Sequence, residues 1–408
     1  MPKTPPREPR LTPESLPQLG RRPGVSYVMP VLNEADHVEA AVATVLAQDY
    51  AGDKEIVLAL GPSTDGTTRI VQRMADADPR IEYVDNPTGT TPAGLNLAIA
   101  RTRHPVIIRV DAHSELTPDY TAVGVRVLRE MEAANLGGLM RARGRTAFQK
   151  AVARAYMSPL GLGGPAYHSG DEAQESESAY LGVFRREVFD ELGGFDESLR
   201  RGQDWELNLR IREAGGLVWF DPRLEVTYWP RSTWKQLVQQ FHATGRWRAE
   251  IVRRHGSRNS LRYFAPPVLI LGMAAAVVEL VLQLTGVTGR WPKVLRRFTS
   301  LVHVPSIAYL ALIGREALRA KDCGFRERAW FKIILPSMHI SWGLGFLRGL
   351  VTGARGQVDP SRGGGLLAEG PGVQGASGAE VGVDGTVDGG VDAVGTAGAD
   401  EGKTEGND

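Results

Sequence analysis

Cysteine is almost absent from this sequence: the chain of 408 residues contains one, Cys323. A single thiol excludes an internal disulfide framework, and it excludes a zinc site built from several cysteines. The first 24 residues also lack the apolar core of a secretory signal sequence. We therefore expect the folded front half of the chain to remain in the cytosol.

Large apolar residues are scarce at both ends of the chain. Residues 1–24 are rich in proline and arginine, and residues 354–408 consist largely of glycine, alanine, valine and acidic residues. Such segments cannot bury enough apolar surface to offset the loss of chain entropy, so we predict that both are disordered. Between them we predict a folded α/β domain over residues 25–260 and an apolar helical region over residues 261–353.

The net charge is small, +1, but the two signs are segregated along the chain. Acidic residues dominate the C-terminal tail, so the remainder is positive. Part of this positive charge precedes the first long apolar stretch, where it favours contact with anionic lipid. A nucleic-acid surface is the weaker interpretation, and we predict no nucleic-acid partner. The arginines concerned are Arg246, Arg248, Arg253, Arg254, Arg258 and Arg262.

Strand and helix patterns alternate in the first part of the predicted domain. Short β-branched runs occupy residues 25–29, 55–60, 81–84 and 106–110, and helical segments separate them. Alternation of this kind implies a sheet with right-handed crossovers. The predicted fold class is therefore α/β, with a mostly parallel central sheet.

Three polar clusters follow strands of this sheet, at residues 30–34, 61–66 and 111–113. Each has an ordinary structural explanation, as a helix cap, a turn or a packed side chain. In an open parallel sheet, however, the carboxyl ends of the strands share one edge, and ligands bind at that edge. We therefore predict that the three clusters together border a binding site.

A second acidic signature opens a predicted helix. Asp204 precedes Leu207 and Ile211 at helical spacing, and Gly215 ends the pattern about three turns later. A helix N-terminus favours a negatively charged side chain. Asp204 is therefore a candidate general base that removes a proton from an acceptor hydroxyl.

Asp111 and His113 are separated by one residue beyond the end of a strand, so both side chains can face one ion. A carboxylate and an imidazole suit Mn²⁺ or Mg²⁺, and a diphosphate would fill other coordination positions. Such a metal and one carboxylate base suffice to move a sugar from a nucleoside diphosphate to a hydroxyl. No carboxylate nucleophile is required if the anomeric centre inverts in one displacement.

The polar clusters and the acidic helix start belong to a series of ordered motifs within residues 25–250. The motifs are Val28-Met-Pro30-Val-Leu-Asn33-Glu34, Ser63-Thr-Asp65-Gly66-Thr67, Arg109-Val-Asp111-Ala-His113-Ser114, Leu181-Gly-Val-Phe-Arg-Arg-Glu187, Gly193-Gly-Phe-Asp-Glu197 and Asp204-Trp-Glu206-Leu. In this order they resemble family 2 glycosyltransferases, which have the GT-A fold, a Rossmann-like nucleotide-sugar-binding domain. Within the family the sequence is most similar to the membrane-associated succinoglycan-biosynthesis type.

The resemblance implies a donor site at the strand ends. The residues that would bind the nucleotide sugar are Pro30, Asn33, Glu34, Asp65 and Asp111. The chain departs from the family pattern at one point, because Leu60 and Gly61 stand where many relatives carry a pair of aspartates. One expected contact to the base or ribose is therefore missing.

The resemblance also implies the metal ligands and the base. Asp111 and His113 would occupy the metal-binding Asp-x-Asp position, with Mn²⁺ or Mg²⁺ as the cofactor. Asp204 would be the catalytic base. Gln203 stands where a glutamate usually precedes that aspartate, and this departure leaves the base in place.

Two segments match the acceptor side of the family. Tyr180 and Gly182 belong to a segment that usually lines the acceptor, with an ordinary buried strand as the equal alternative. Arg246 and Trp247 resemble a loosened Gln-x-x-Arg-Trp motif of processive synthases, and an interfacial helix is the alternative there. Ala243 replaces a glutamine of that motif, which favours single addition over polymerisation.

Three apolar stretches predict the membrane-associated region. Residues 264–288 are long enough to cross a bilayer, residues 300–314 are short for spanning, and residues 330–351 are long enough but carry charged side chains such as Lys332. A buried helical subdomain is the alternative. Basic residues after the first stretch conflict with an outward exit, which favours a hairpin or an interfacial helix. They are Arg290, Lys293, Arg296 and Arg297.

These features predict an inverting, metal-dependent glycosyltransferase on the cytoplasmic side of the cell membrane. Its donor would be a nucleoside-diphosphate sugar, and its acceptor a hydroxyl of a lipid-linked or cell-surface glycan, as in exopolysaccharide or envelope glycan synthesis. The alternative is a catalytically silent relative that binds nucleotide sugar or serves as a scaffold in a glycan-synthesis complex. A nucleotidyltransferase is disfavoured, because residues 30–34 occupy the place of the Gly-rich basic loop expected there.

Overall fold

The computed structural model describes residues 10–162, 166–256, 261–319 and 323–354. These ranges belong to one compact unit. Residues 1–9 of the predicted leader and residues 355–408 of the predicted acidic tail lie outside the described residues.

Residues 10–24 are ordered, so the prediction of a disordered leader is wrong for this part of the chain. Leu11 is 1% exposed. The backbone N–H of Leu11 donates to the carbonyl of Ala214 at 3.0 Å, and Arg185 Nη1 donates to the carbonyl of Pro17 at 2.7 Å. Burial of three spaced leucines, Leu11, Leu16 and Leu19, anchors a segment whose proline content resembles that of a disordered one.

The core of the structure is one sheet of nine strands. The strands are β1 (Val25–Val31), β2 (Lys54–Leu60), β3 (Ile81–Asp85), β4 (Val106–Arg109), β5 (Glu115–Leu116), β6 (Asn135–Ala142), β7 (Gln174–Glu175), β8 (Val183–Arg185) and β9 (Val218–Tyr228). Their order across the sheet is β3-β2-β1-β4-β8-β6-β9-β5, and β7 pairs with β9.

The half of the sheet that contains β1 to β4 is parallel, as predicted. β1 pairs in parallel with β2 and β4, and β2 pairs in parallel with β3. Apolar clusters cover both faces of these strands, which explains their continuous β-branched sequences. The connecting helices are α1 (Val38–Leu46), α2 (Thr67–Ala77) and α3 (Thr91–Arg101).

The other half of the sheet is mixed, and its strand directions decide what lies at the sheet edge. β8 pairs antiparallel with both β4 and β6, and β9 is parallel to β6. β6 and β9 therefore run in the same direction as β1 and β4, so their carboxyl ends lie at the same edge. β5 pairs antiparallel with the end of β9. The sequence pattern did not reveal this second half.

Ten further α-helices lie in the described residues. Those before residue 257 are α4 (Tyr120–Glu130), α5 (Ala147–Met157), α6 (Ala166–Ser169), α7 (Glu187–Leu192), α8 (Gln203–Glu213) and α9 (Trp234–His255). Those after residue 260 are α10 (Ala265–Leu284), α11 (Lys293–Ser300), α12 (His303–Arg319) and α13 (Phe325–Thr352). The predicted succession of an α/β part and a helical part is confirmed.

α13 packs into the folded protein along α9 and α5. Phe331, Ile334 and Leu335 are at most 2% exposed, and they contact apolar residues of both helices. The prediction that residues 330–351 contact the membrane is therefore wrong for the helix face that carries Phe331, Ile334 and Leu335, because protein buries that face. The apolar region after residue 260 is consequently continuous with the α/β domain.

Two glycines allow α9 and α13 to approach closely. A Cβ atom on Gly245 would lie 2.0 Å from the carbonyl oxygen of Trp342, and a Cβ atom on Gly345 would lie 2.0 Å from the carbonyl oxygen of His242. Neither position has room for a side chain, because the obstacle is the backbone of the other helix. The crossing of these two helices therefore depends on glycine.

α10 and α12 leave their apolar side chains uncovered. Val277 and Leu284 are 60% and 79% exposed, and Ile307 and Leu310 are each 64% exposed. Residues Ala265–Leu284 and Lys293–Arg319 are each long and apolar enough to cross a bilayer. The second candidate includes residues 300–314, which alone are short for spanning. It is longer than predicted because α11 extends it at the N-terminal end.

Candidate active site

The loops after β1 and β2 are locked together by hydrogen bonds. The backbone N–H of Asn33 donates to Ser63 Oγ at 3.0 Å, and the backbone N–H of Thr64 donates to Asn33 Oδ1 at 2.8 Å. Asn33 has a φ of 54°, a left-handed conformation that asparagine tolerates better than most residues. Pro30 precedes this loop within β1, opposite Ala59. The first two predicted clusters therefore lie side by side at the sheet edge.

Asp65 shapes the same pair of loops. Its Oδ2 accepts from the backbone N–H of Ala35 at 3.1 Å, and its Oδ1 accepts from the backbone N–H of Thr67 at 3.1 Å. Burial tends to raise the pKa of Asp65, but the hydrogen bonds from Thr67 and Ala35 outweigh it and lower that pKa. The Asp65 carboxylate therefore stabilises a turn, which was the structural explanation considered for this cluster, and it does so at the edge predicted to bind the nucleotide.

Glu34 and His113 join the first cluster to the third. Glu34 Oε1 and His113 Nδ1 are 3.0 Å apart, and the His113 side chain is 39% exposed. Burial lowers the pKa of His113, but the hydrogen bond to Glu34 and the charge of Asp111 more than compensate, so the pKa is raised. The predicted meeting of the three clusters at one edge is confirmed.

Arg109, the last residue of β4, joins Asp111 to Asp204. Its Nη2 donates to Asp111 Oδ1 at 2.9 Å, and its Nη1 donates to Asp204 Oδ1. The Arg109 side chain is 4% exposed, whereas those of Asp111 and Asp204 are 21% and 27% exposed. Burial lowers the pKa of Arg109, but the two carboxylates outweigh it and raise that pKa. Sequence reasoning gave this residue no role, although a charge inside a buried strand signals a paired group.

Asp204 lies in the first turn of α8, as predicted. The helix begins after Gly202, which has a φ of 78°, and ends before Gly215, which has a φ of 82°. The side chain of Asn208 donates back to the carbonyl of Asp204 at 2.8 Å. The helix N-terminus therefore presents a partly exposed carboxylate to the sheet edge, next to the end of β4.

Tyr180 and Gly182 line the neighbouring strand position. The backbone N–H of Arg109 donates to the carbonyl of Gly182 at 3.1 Å. Gly182 has a φ of 96°, and a Cβ atom there would lie 2.3 Å from the Phe184 ring, so only glycine fits. Burial raises the pKa of Tyr180, and the nearby charge of Asp111 adds to this effect. The predicted acceptor segment is thus adjacent to the site.

Comparison with known proteins identifies the family. Residues 26–193 match the family model for glycosyl transferase family 2. The succinoglycan biosynthesis protein ExoA of Rhizobium meliloti (strain 1021) is 34% identical over 241 residues, which are 59% of this chain and 73% of that relative. The chain belongs to glycosyltransferase family 2. The predicted resemblance to the succinoglycan-biosynthesis type and the predicted GT-A fold are confirmed.

More distant similarities extend over comparable lengths of this glycosyltransferase. A dolichyl N-acetyl-alpha-D-glucosaminyl phosphate 3-beta-D-2,3-diacetamido-2,3-dideoxy-beta-D-glucuronosyltransferase of Methanococcus voltae is 22% identical over 239 residues, 56% of this chain and 74% of the relative. Among solved structures, the mannosyltransferase PcManGT from Pyrobaculum calidifontis, in complex with GDP-Man and Mn²⁺, gives a TM-score of 0.49 at 20% identity. That match covers 86% of this chain and 91% of the other.

The predicted acceptor-side pair Arg246 and Trp247 has a structural role in this glycosyltransferase. Arg246 Nε donates to the carbonyl of Gly353 at 2.7 Å, and its Nη2 donates to Thr352 Oγ1 at 2.9 Å. Arg246 therefore binds the end of α13, where carbonyls lack intrahelical partners. Trp247 is 4% exposed and packs with Trp205, which leaves no face for a sugar. The prediction that this pair contacts the acceptor is corrected accordingly.

The predicted metal ligands of the glycosyltransferase, Asp111 and His113, both have partly exposed side chains at the end of β4. Within the described ranges, no three His, Cys, Asp or Glu side chains converge to hold an ion. The protein would therefore supply two ligands, and a diphosphate and water would supply the others. With the remaining positions filled in this way, one oxygen ligand and one imidazole ligand from the protein fit Mn²⁺ or Mg²⁺.

Proposed function

We propose that this family 2 glycosyltransferase transfers one sugar from a nucleoside-diphosphate sugar to a hydroxyl group, with inversion. One observation carries the proposal: the carboxylates of Asp111 and Asp204 meet at the guanidinium of Arg109. Asp111 follows β4, which pairs in parallel with β1, and Asp204 lies in the first turn of α8. In this arrangement Asp111, which would serve the metal and the diphosphate, lies beside Asp204, which would serve the acceptor hydroxyl.

Asp204 acts as the general base in this proposal. The acceptor oxygen attacks the anomeric carbon while the bond from that carbon to the diphosphate oxygen breaks. The hydroxyl proton passes to the Asp204 carboxylate, and the diphosphate leaves with the bonding electron pair. The partly exposed position of Asp204 allows an acceptor hydroxyl to reach it. A single displacement inverts the anomeric configuration.

The donor would lie along the loops after β1, β2 and β4. Pro30, Asn33 and Glu34 border this edge, and Asp65 fixes the backbone of both loops. Asp111 and His113 would hold Mn²⁺ or Mg²⁺, which neutralises the diphosphate when it is bound. Glu34 orients His113 through their 3.0 Å contact, as outer partners of metal-binding histidines commonly do.

The acceptor is proposed to be a lipid-linked or cell-surface glycan, as in exopolysaccharide or envelope glycan synthesis. The similarity to a succinoglycan biosynthesis protein supports this. So does the packing of the apolar helices, because Tyr180 of the predicted acceptor segment and Tyr309 of α12 pack against the same apolar cluster. Tyr309 of α12 contacts His339 of α13 at 2.7 Å, and the backbone at Leu160 and Gly161, after α5, hydrogen-bonds to His339.

The membrane contact is proposed to be a hairpin of α10 and α12 that holds the catalytic domain at the cytoplasmic face. His303 Nε2 at the start of α12 lies 2.7 Å from Glu279 Oε2 near the end of α10, which joins the two helices. α11 lies between them and is amphipathic: Val294 and Phe298 are 81% and 71% exposed on one side. Basic residues occupy the other, namely Lys293, Arg296 and Arg297. Such a helix suits a lipid headgroup layer.

Nucleotide release tests the proposal. Detergent-purified protein is incubated with Mn²⁺ and a panel of UDP-, GDP- and dTDP-sugars, with and without membrane lipid extract, beside Asp204→Asn. Release from one donor that is lost in the variant supports the enzyme and identifies its donor. No release from any donor in either condition favours the alternative, a catalytically silent relative that binds nucleotide sugar or organises a glycan-synthesis complex.

A further inference from the structure

The end of β9 pairs with β5, which begins two residues after His113. β5 pairs antiparallel with β9, with Glu115 opposite Thr227. Trp229 and Arg231 follow Thr227 closely in the sequence, so the chain after β9 passes close to the segment that leads from His113 into β5. The indole of Trp229 supports this course of the chain, because its Nε1 donates to Glu115 Oε1 at 3.4 Å.

A second observation supports the same position. The positive charge of Arg231 acts on the His113 imidazole and opposes the rise of its pKa. Charges influence each other in this way only over short distances in a partly solvated site. Arg231 therefore lies near His113, although the two residues are 118 positions apart in the sequence.

The guanidinium of Arg231 has no partner within the described part of the chain. Its side chain is half-buried, and its Nε is fully buried without a hydrogen bond. A buried donor that lacks an acceptor is costly and uncommon in folded proteins. Arg109, the other arginine of the site, is committed to Asp111 and Asp204. Arg231 is therefore a cation that a ligand can still pair with.

We propose that Arg231 binds the diphosphate of the donor and of the departing nucleotide. The inference rests on the proposed transfer reaction, in which negative charge grows on the diphosphate as its bond to the sugar breaks. A guanidinium can give two parallel hydrogen bonds to phosphate oxygens, and it is strongest where charge develops in the transition state. Arg109 thus holds the two carboxylates in place, and Arg231 neutralises the departing diphosphate.

Arg145 provides a matched control at the same sheet edge. It is exposed, and its guanidinium lies 4.6 Å from the centre of the Trp229 ring. Its substitution removes the same charge from the same region without removing a buried unpaired donor. A general loss of positive potential would therefore affect Arg145→Gln and Arg231→Gln alike, whereas a specific contact affects only the second.

The experiment measures nucleotide binding by calorimetry with the full chain in detergent and Mn²⁺. The probes are UDP, GDP and dTDP, followed by the monophosphate of whichever base binds. We expect Arg231→Gln to weaken diphosphate binding by about 10- to 100-fold, the loss typical of one charged hydrogen-bonding group. Monophosphate binding should change by less than about 3-fold. Arg145→Gln should leave both affinities near those of the wild type.

The outcomes separate the inference from the proposed function. Binding of a diphosphate by the wild type with unchanged affinity in Arg231→Gln overturns the inference alone, as does an equal loss in Arg145→Gln. Absence of diphosphate binding in the wild type overturns the proposed function and the inference with it. If Arg231→Gln does not fold, Arg231→Lys replaces it. That variant keeps the charge but loses the planar donor pair, and it should weaken diphosphate binding several-fold.

Discussion

Asp111 and Asp204 accept hydrogen bonds from one guanidinium, that of Arg109, although they are 93 positions apart in the sequence. Arg109 is almost fully buried, and both carboxylates are partly exposed. The buried cation therefore holds two partly exposed acidic groups close together. The separation of the two predicted site carboxylates is therefore set by this one side chain.

Asp204→Asn is expected to fold and to bind donor but to lose transfer by at least about 10²-fold, because the amide cannot take the acceptor proton. Steady-state transfer assays and nucleotide binding measure the two effects separately. Asp190→Asn, an exposed aspartate on α7, serves as the control for removal of a surface carboxylate. Turnover near the wild-type rate in Asp204→Asn would exclude the general-base role.

Arg109→Met is expected to lower the free energy of unfolding by about 2 to 3 kcal/mol. This is less than the cost of breaking a fully buried ion pair, because both carboxylates reach solvent. Asp204→Asn should cost less in the Arg109→Met background than in the wild type, since it removes one of two carboxylates that then repel each other. Urea unfolding of the four proteins tests this, and strictly additive losses would contradict a shared cation.

Local patterns were sufficient to predict that the three polar clusters share one edge of the sheet. Asn33, Asp65 and Asp111 each follow a short β-branched run, and parallel strands must place such positions at one edge. Asp204 was predictable for a similar reason, because helix start and stop signals surround it. These features depend on residues close together in the sequence, which explains why the fold of this half and the two acidic positions were found.

Long-range pairing was not predictable in the same way. Arg246 resembled a substrate-binding motif, but its partner Gly353 lies 107 residues later. The position of Arg231 near His113 depends on the pairing of β5 with β9, which no local pattern reveals. Apolar composition also could not separate α13, which is buried by α9, from α10, which is uncovered. In both helices the sequence shows apolar content, and only the packing shows what covers it.

Chelation is expected to abolish transfer, and Mn²⁺ or Mg²⁺ should restore it, because Asp111 and His113 alone do not neutralise a diphosphate. Asp111→Asn should raise the metal concentration needed for half-maximal activity. Activity is measured after EDTA treatment and metal titration, with Asp190→Asn, the exposed aspartate of α7, as the carboxylate control. Full activity in EDTA would remove the metal from the mechanism.

The full chain is expected to sediment with membranes and to be released by detergent but not by high salt or alkaline carbonate, because α10 and α12 expose apolar rather than charged faces. Val277→Glu with Val281→Glu should increase the soluble fraction, since each charge costs about 2.5 to 3.5 kcal/mol in a bilayer. Tyr83→Glu, at an exposed position on β3, is the control. Release by salt alone would indicate a surface attachment without insertion.

Gly345→Ala is expected to destabilise the protein, because the added Cβ would meet the backbone of α9 at 2.0 Å. Overpacking of this kind costs about 1 to 3 kcal/mol. Gly314→Ala in α12 is the matched control: no atom lies within 4 Å of its Cβ position, and alanine favours helix by up to about 1 kcal/mol. Thermal unfolding in detergent should therefore give opposite shifts in Tm. Because Arg246 binds the end of α13, Gly345→Ala should also weaken the packing between the apolar helices and the catalytic domain. Equal Tm values for Gly345→Ala and Gly314→Ala would show that α9 and α13 do not cross so closely.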